Sequence, residues 1–246
     1  MKKAMLSGLI GVAAAAAALA AGLEKQSVTM ATADGVTISG YFVKGKADKG
    51  PAVVLVHMYA RSKEDWDPII EKYLMPQTGM SFLAIDLRGH GESTKQGDKT
   101  LSYKDFSDAD FKNMTKDIEA AVKWLREKSE VDGDKIAIVG ASIGANVALN
   151  YAAGDPKIKA VALLSPAEDY RGVKTLDAMT KYGDRPVFIS VSREDLQSSR
   201  DFTALWNRAK GKKVKAIFDG NLHGTRMFGN VPLDEPLADF LKENLK

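Results

Sequence analysis

Ala52-Val53-Val54-Leu55-Val56 is apolar at every position and largely β-branched. A strand with one wet face alternates polar and apolar residues, so a run with no polar position must be covered on both faces. Ser81–Leu87, Ile136–Gly140 and Ile158–Leu164 have the same character, and Pro186–Val191 and Val214–Phe218 extend the series. Ahead of them, Ser27–Thr32 and Val36–Lys44 flank Ala33-Asp34-Gly35, where Asp-Gly supplies a hairpin turn. Helical patterns fall between the runs. Phe111, Met114, Ile118, Ala121, Val122 and Leu125 recur at three- and four-residue spacing, and Glu64–Leu74, Ile143–Ala153, Ser199–Lys210 and Leu233–Leu245 read the same way. Pro232 and Pro236 sit near the start of the last, where a missing N–H is tolerated. The alternation predicts an α/β fold: an eight-stranded, mostly parallel sheet with helices on both faces. Such sheets place their sites at the carboxyl ends of the strands.

A chain of 246 residues suits one domain of ordinary size. It has no cysteine, which excludes a disulfide framework, a thiolate metal site and a cysteine nucleophile. His57, His90 and His223 are too few and too scattered for a zinc site, and H-E-x-x-H is absent, so neither a metal nor a cofactor is expected. The formal net charge is +3, and Lys2 and Lys3 supply two of those charges. Without them the chain is near neutral, which gives no electrostatic case for a nucleic-acid partner.

Those two lysines open residues 1–22, MKKAMLSGLIGVAAAAAALAAG, a basic head followed by an uncharged, alanine-rich run closed by small residues. This is the build of a secretory signal peptide, with cleavage expected after Ala20 or after Gly22. The expected layout is therefore a signal over 1–22 and one domain over 23–246, exported to the periplasm or beyond, with no stable membrane anchor once the signal is cut.

Gly140-Ala141-Ser142-Ile143-Gly144 stands between a strand pattern and a helix pattern. G-x-S-x-G in that setting is a nucleophile elbow, in which glycines permit a sharp turn that raises the serine above the sheet at a helix N-terminus. A serine nucleophile needs a base. Chain order in this type of site runs serine, acid, histidine, and His223 is the only histidine after Ser142. The acid should lie between them at a strand end. Asp195, in Ser192-Arg193-Glu194-Asp195, is the first choice. Glu194 beside it, Glu168 and Asp169 after the preceding strand, and Asp219 remain alternatives.

These residues resemble the α/β-hydrolase family. Val54-Leu55-Val56-His57-Met58-Tyr59 resembles its strand ending in an oxyanion loop, and Asp86-Leu87-Arg88-Gly89-His90-Gly91-Glu92-Ser93 its D-x-R-G-H-G-x-S loop. The resemblance covers roughly 27–246 and implies an α/β-hydrolase fold, with oxyanion donors at the backbone N–H groups of Ile143 and Tyr59. Met58 departs from the glycine usual after the loop histidine. The resemblance makes His57 and His90 structural residues that bond loop backbone. Within the family the chain looks like small exported serine esterases and dienelactone-hydrolase-like members, although Ser142 replaces the cysteine of true dienelactone hydrolases. The implied reaction is cleavage of a small-molecule carboxylic ester through an acyl-enzyme. The alternatives are a peptidase- or thioesterase-type acyl hydrolase and a non-catalytic binding protein. Between the sixth and seventh strands, Ser165 to Arg185 leaves room for one short helix around Val173–Lys181 and for no large cap. Tyr59, Trp66, Tyr170 and Met227 are candidate pocket residues, although such residues are more often simple core or surface packing.

Overall fold

The apolar runs pair side by side as a single sheet. The computed structural model describes residues 23–246, so the expected signal over 1–22 lies outside the described residues. The long strands are β1 (Gln26–Ala31), β2 (Val36–Val43), β3 (Gly50–Val56), β4 (Ser81–Ile85), β5 (Val131–Ala141), β6 (Ala160–Leu164), β7 (Val187–Ser192) and β8 (Lys213–Phe218). Their order across the sheet is β8-β7-β6-β5-β3-β4-β2-β1. Strands β3 to β8 run parallel, and β2 joins β4 and β1 antiparallel. A two-residue hairpin, Lys95–Gln96 with Lys99–Thr100, adds two short strands against β2. The eight expected strands are therefore present, with that small extension.

Burial on both faces follows from the alternation of side chains along a strand. Val54 and Val56 of β3 point into one core, with helices α1 (Thr115–Arg126), α2 (Ile143–Gly154), α3 (Leu176–Tyr182) and α4 (Leu196–Arg208) supplying Ile118, Val147, Met179 and Leu205. Val53 and Leu55 point into the other, against Trp66, Ile70 and, from α5 (Asp234–Asn244), Leu237 and Phe240. Among the described residues no helix is long and apolar enough to cross a membrane.

Two expectations are corrected. Glu64–Leu74 is not one regular helix but a 3₁₀ turn (Lys63–Trp66), a short α turn (Asp67–Ile69), a π turn (Ile70–Leu74) and a further α turn (Met75–Thr78). Pro76 has no N–H to offer the carbonyl four residues back, and the winding loosens just before it. Beyond β6, Val173–Lys174 is not helical. It pairs with Asp169–Tyr170 as a small hairpin, and the short helix starts later, at Leu176. The hairpin turn has Arg171 at φ 50° and Gly172 at φ 78°, which no helix contains. The gap expected to lack a large cap holds only these two elements.

Candidate active site

Ser142 follows the carboxyl end of β5 and caps α2, at φ 56° and ψ −125°. A non-glycine residue held there costs about 1–3 kcal/mol and persists only where its surroundings enforce it. The two glycines of the motif show the enforcement. A Cβ on Gly140 would lie 2.2 Å from the Gly144 carbonyl oxygen, and one on Gly144 would lie 2.5 Å from that of His57. The Ser142 N–H donates to Leu164 O at 2.8 Å, fixing the turn to the end of β6. The Ser142 side chain stands at the first turn of α2, where aligned peptide dipoles favour negative charge.

His223 leaves the end of β8 and meets Asp195, which follows β7. Its Nδ1 lies 2.7 Å from Asp195 Oδ2. Burial alone would raise the Asp195 carboxyl, but the hydrogen bond and charge of His223, with the hydroxyls of Ser198 and Ser165, hold it below the ordinary value. With the proton on Nδ1, Nε2 presents a lone pair. Among the described residues none of the other acid candidates bonds to His223. Asp169 Oδ1 accepts from the Gly172 N–H, Asp219 pairs with Arg193 at the surface, and Glu194 is exposed. Glu168 uses its backbone N–H on Asp201. The His223 loop abuts the elbow, since a Cβ on Gly224 would lie 3.2 Å from the Ala141 side chain. Among the described residues, Ser142 and His223 share no hydrogen bond.

Tyr59 lies on the loop after β3. Its peptide is oriented from the carbonyl side: Met58 O accepts from His57 Nδ1 at 2.7 Å and from the Arg61 N–H at 3.2 Å. The N–H of that same peptide unit is the Tyr59 donor. Among the described residues neither it nor the Ile143 N–H donates to a protein acceptor. His57 Nε2 accepts from the Leu87 N–H at 3.0 Å, so both of its nitrogens are engaged. Burial lowers its pKa and keeps the ring neutral. Met58, where glycine was expected, is buried and fills the space beside Gly224, with Thr225 Oγ1 3.8 Å from its sulfur.

The D-x-R-G-H-G-x-S stretch is occupied with structure. Asp86 accepts from the Lys63 N–H, from Lys63 Nζ and from the Glu92 N–H. Arg88 reaches Asp117 and Asp34, and Ser93 Oγ donates to Asp86 O. A Cβ on Gly91 would lie 2.3 Å from the Asp86 carboxylate. His90 donates through Nδ1 to Arg88 O and stacks on Tyr103 at 4.2 Å between centroids. Burial, and then the neighbouring His57, push it down to about 4.

Sequence reasoning missed Ser165 and Ser198. Ser165 accepts from the Gly224 N–H at 2.9 Å and ties the His223 loop to the end of β6. Ser198 lies three residues after Asp195, and Tyr170 Oη lies 3.2 Å from its Oγ. The Tyr170 ring stands edge-on to His223 at 6.3 Å. Burial raises its phenol, against smaller opposing hydrogen bonds from Ser198 and Ser142. Trp66 and Met227 are fully buried core residues. A cleft of about 400 Å³, bordered by Met58, Thr225, Tyr73, Arg226 and Phe228, opens beside the loops that follow β3 and β8, and Ser142, Asp195 and His223 are not in its lining. A wider depression of about 950 Å³ lies along α1 and α2, lined by Lys112, Lys123 and Lys157, and includes none of Ser142, Asp195 and His223.

Residues 51–218 match a family model described as alpha/beta hydrolase fold. A Penicillium protein named as a polyketide transferase is 29% identical over 150 residues, which is 61% of this chain and 48% of that protein. The chain thus spans about half the length of that curated relative. An esterase from Pyrococcus furiosus superposes with a TM-score of 0.72 at 23% identity, covering 91% of this chain and 94% of the other. Dienelactone hydrolase from Anabaena variabilis gives 0.72 at 17% identity, covering 91% and 99%. At these identities the two structures show a shared fold.

Proposed function

The chain belongs to the alpha/beta hydrolase fold family, and from that premise we propose that it is a serine hydrolase cleaving carboxylic esters through an acyl-enzyme. The observation that carries the reading is the Asp195–His223 hydrogen bond at 2.7 Å, presented at the same sheet edge as a serine in an enforced positive-φ turn. Ser142 Oγ attacks the ester carbonyl while His223 Nε2 takes its proton. Asp195 holds the imidazole with Nδ1 protonated and stabilises the imidazolium that forms. The tetrahedral oxyanion accepts from the Ile143 and Tyr59 N–H groups, aided by the N-terminus of α2. Collapse breaks the bond to the alkoxy oxygen, and His223 returns the proton to the leaving alcohol. Water then attacks the acyl-enzyme by the same route and releases the acid. The Ser142–His223 hydrogen bond, not made in the free site, forms in the reacting complex, since catalytic hydrogen bonds are often long or unaligned until substrate is bound.

A small-molecule ester is the proposed partner, approaching Ser142 at the carboxyl end of the sheet. The short span after β6 leaves this approach without a large lid. The test is peptide mapping after a fluorophosphonate probe, together with turnover of esters of rising acyl length. Label on Ser142 with ester turnover is the expected result. A folded protein that takes no label, or takes it elsewhere, replaces this reading with that of a binding protein. We also propose export through cleavage of 1–22, tested by intact mass from the exporting cell. A mass that still includes Met1 rejects it.

A further inference from the structure

The hairpin of Asp169–Tyr170 and Val173–Lys174 connects both halves of the site. Its base is tied to α2, the helix that follows Ser142: Asn146 Nδ2 donates to Ala167 O at 3.1 Å and to Val173 O at 2.8 Å. Asn146 Oδ1 accepts from the Ala167 N–H at 3.2 Å. Its turn is closed by the Gly172 N–H on Asp169 Oδ1 at 2.7 Å. Gly172 also presses on Asp108, which a Cβ there would meet at 2.7 Å. Tyr170, on one side of the turn, faces His223.

Arg171, at the tip, faces the oxyanion loop. Its guanidinium carbon lies 4.2 Å from the centroid of the Tyr59 ring and 5.4 Å from that of Phe111. Tyr103 at 5.1 Å, with His90 and Phe111 each at 6.0 Å, surrounds the rest of the Tyr59 ring. Arg171 is exposed and, among the described residues, joins no ion pair. Its φ of 50° is one that glycine adopts freely and arginine does not. A turn alone is better served by glycine; arginine adds a cation over an aromatic face.

We propose that Arg171 is a positioning residue for ester cleavage: by capping the Tyr59 ring it holds the Tyr59 N–H toward the oxyanion. The inference rests on the serine-hydrolase reading above. His57 fixes the Met58–Tyr59 peptide from its carbonyl, and Arg171 fixes the side chain next to that peptide. The loop lacks the glycine expected at position 58, so its path is set by what packs on it. Since the donor acts on charge that develops in the transition state, misplacing it lowers kcat more than it raises KM.

The experiment compares wild type with Arg171→Gly, which suits the backbone, and with Arg171→Asn, which tolerates the same φ without glycine's flexibility. It reads kcat and KM on a neutral activated ester, thermal midpoint, and affinity for a trifluoromethyl ketone, whose adduct with Ser142 carries an oxyanion. Both variants should keep the wild-type midpoint, lose about fivefold in kcat with KM within about twofold, and lose ketone affinity by the same factor. Arg171→Lys, which keeps a cation, should recover part of the loss. In a Tyr59→Leu background, Arg171→Gly should cost nothing further, because the ring it acts through is gone. Unchanged kcat, unchanged ketone affinity, or full additivity with Tyr59→Leu overturns the proposal while leaving the hydrolase reading intact. A wild-type protein that takes no probe at Ser142 overturns both.

Discussion

His57 and His223 both follow the carboxyl end of a parallel strand, yet their surroundings differ in every respect that bears on chemistry. His57 is fully buried with one nitrogen on Met58 O and the other on the Leu87 N–H. His223 has about 29% of its side chain exposed and spends one nitrogen, on Asp195. The loop from Asp86 to Ser93, which His57 touches, is knotted by buried charge. The loop carrying His223 is held through the Gly224 N–H on Ser165 and leaves Nε2 open. A ring with both nitrogens engaged braces backbone, whereas a ring with one free and one fixed can carry a proton. Exposure and hydrogen-bond count therefore separate the two roles where residue type does not.

The sharpest break of this comparison is removal of the proposed proton carrier. His223→Ala should lower kcat by about four to six orders of magnitude, and Ser142→Ala by a similar factor, because the pair acts as a unit. The remaining turnover reports the oxyanion donors and binding alone. Steady-state kinetics on an activated ester, with circular dichroism to verify folding, measures it. Equal activity in His223→Ala and wild type would end the distinction between the two histidines.

Next in size is the carboxylate behind the imidazole. Asp195→Asn should cost about three to four orders of magnitude in kcat, since the amide no longer holds Nδ1 protonated. Glu168→Gln and Asp169→Asn should stay near wild type, although Asp169→Asn weakens the cap on the hairpin turn. A normal Asp195→Asn beside a dead Glu168→Gln moves the acid to the end of β6.

A structural counterpart on the braced side should show the reverse pattern. Arg88 is buried between Asp117 and Asp34, with Nε 2.8 Å from Asp117 Oδ1 and NH1 2.8 Å from Asp34 Oδ2. Arg88→Met leaves a buried carboxyl without its cation and should cost about 3 kcal/mol of stability. At a temperature where the variant is folded, its kcat/KM should remain within a few fold of wild type. Chemical denaturation and kinetics on the same preparation separate the two effects.

Much of this was legible from the chain because its signals are local. Unbroken β-branched runs require a sheet covered on both faces, and Gly140-Ala141-Ser142-Ile143-Gly144 carries its own steric reason. Chain order and strand ends put Asp195 first among several acids, and the structure places it against His223. What stayed hidden depends on contacts remote in sequence. Ser165 serves the His223 loop from 59 residues away, and nothing around it marks that use. Pro68 and Pro76 carry the local signal for the break of Glu64–Leu74 into short turns. The strand at Val173–Lys174 falls within the span expected to be helical, because two-residue strands leave no periodicity to detect.

The smallest effect concerns protons on the braced side. His90 is buried and pushed down to about 4, whereas an unfolded chain returns it to an ordinary value near 6.5. Between those values the unfolded state binds the proton and the folded state refuses it, so this group's contribution is present above pH 6.5 and is lost as pH falls toward 4. The loss between pH 7 and pH 5 should be about 2 kcal/mol. Asp117 works in the opposite direction. Burial, against the opposing Arg88, raises it to about 6, so the folded state takes up a proton there that the unfolded chain binds only at lower pH. The wild-type curve therefore sums two opposed slopes, and the His90 part is read as a difference. His90→Phe keeps the stacking on Tyr103 and removes the titration. Its stability should fall less than that of wild type between pH 7 and pH 5, by about 2 kcal/mol in denaturant titrations at the two pH values. Parallel curves for the two proteins would mean that His90 carries its proton in the folded state, and that the loop bracing the site is not as dry as its contacts indicate.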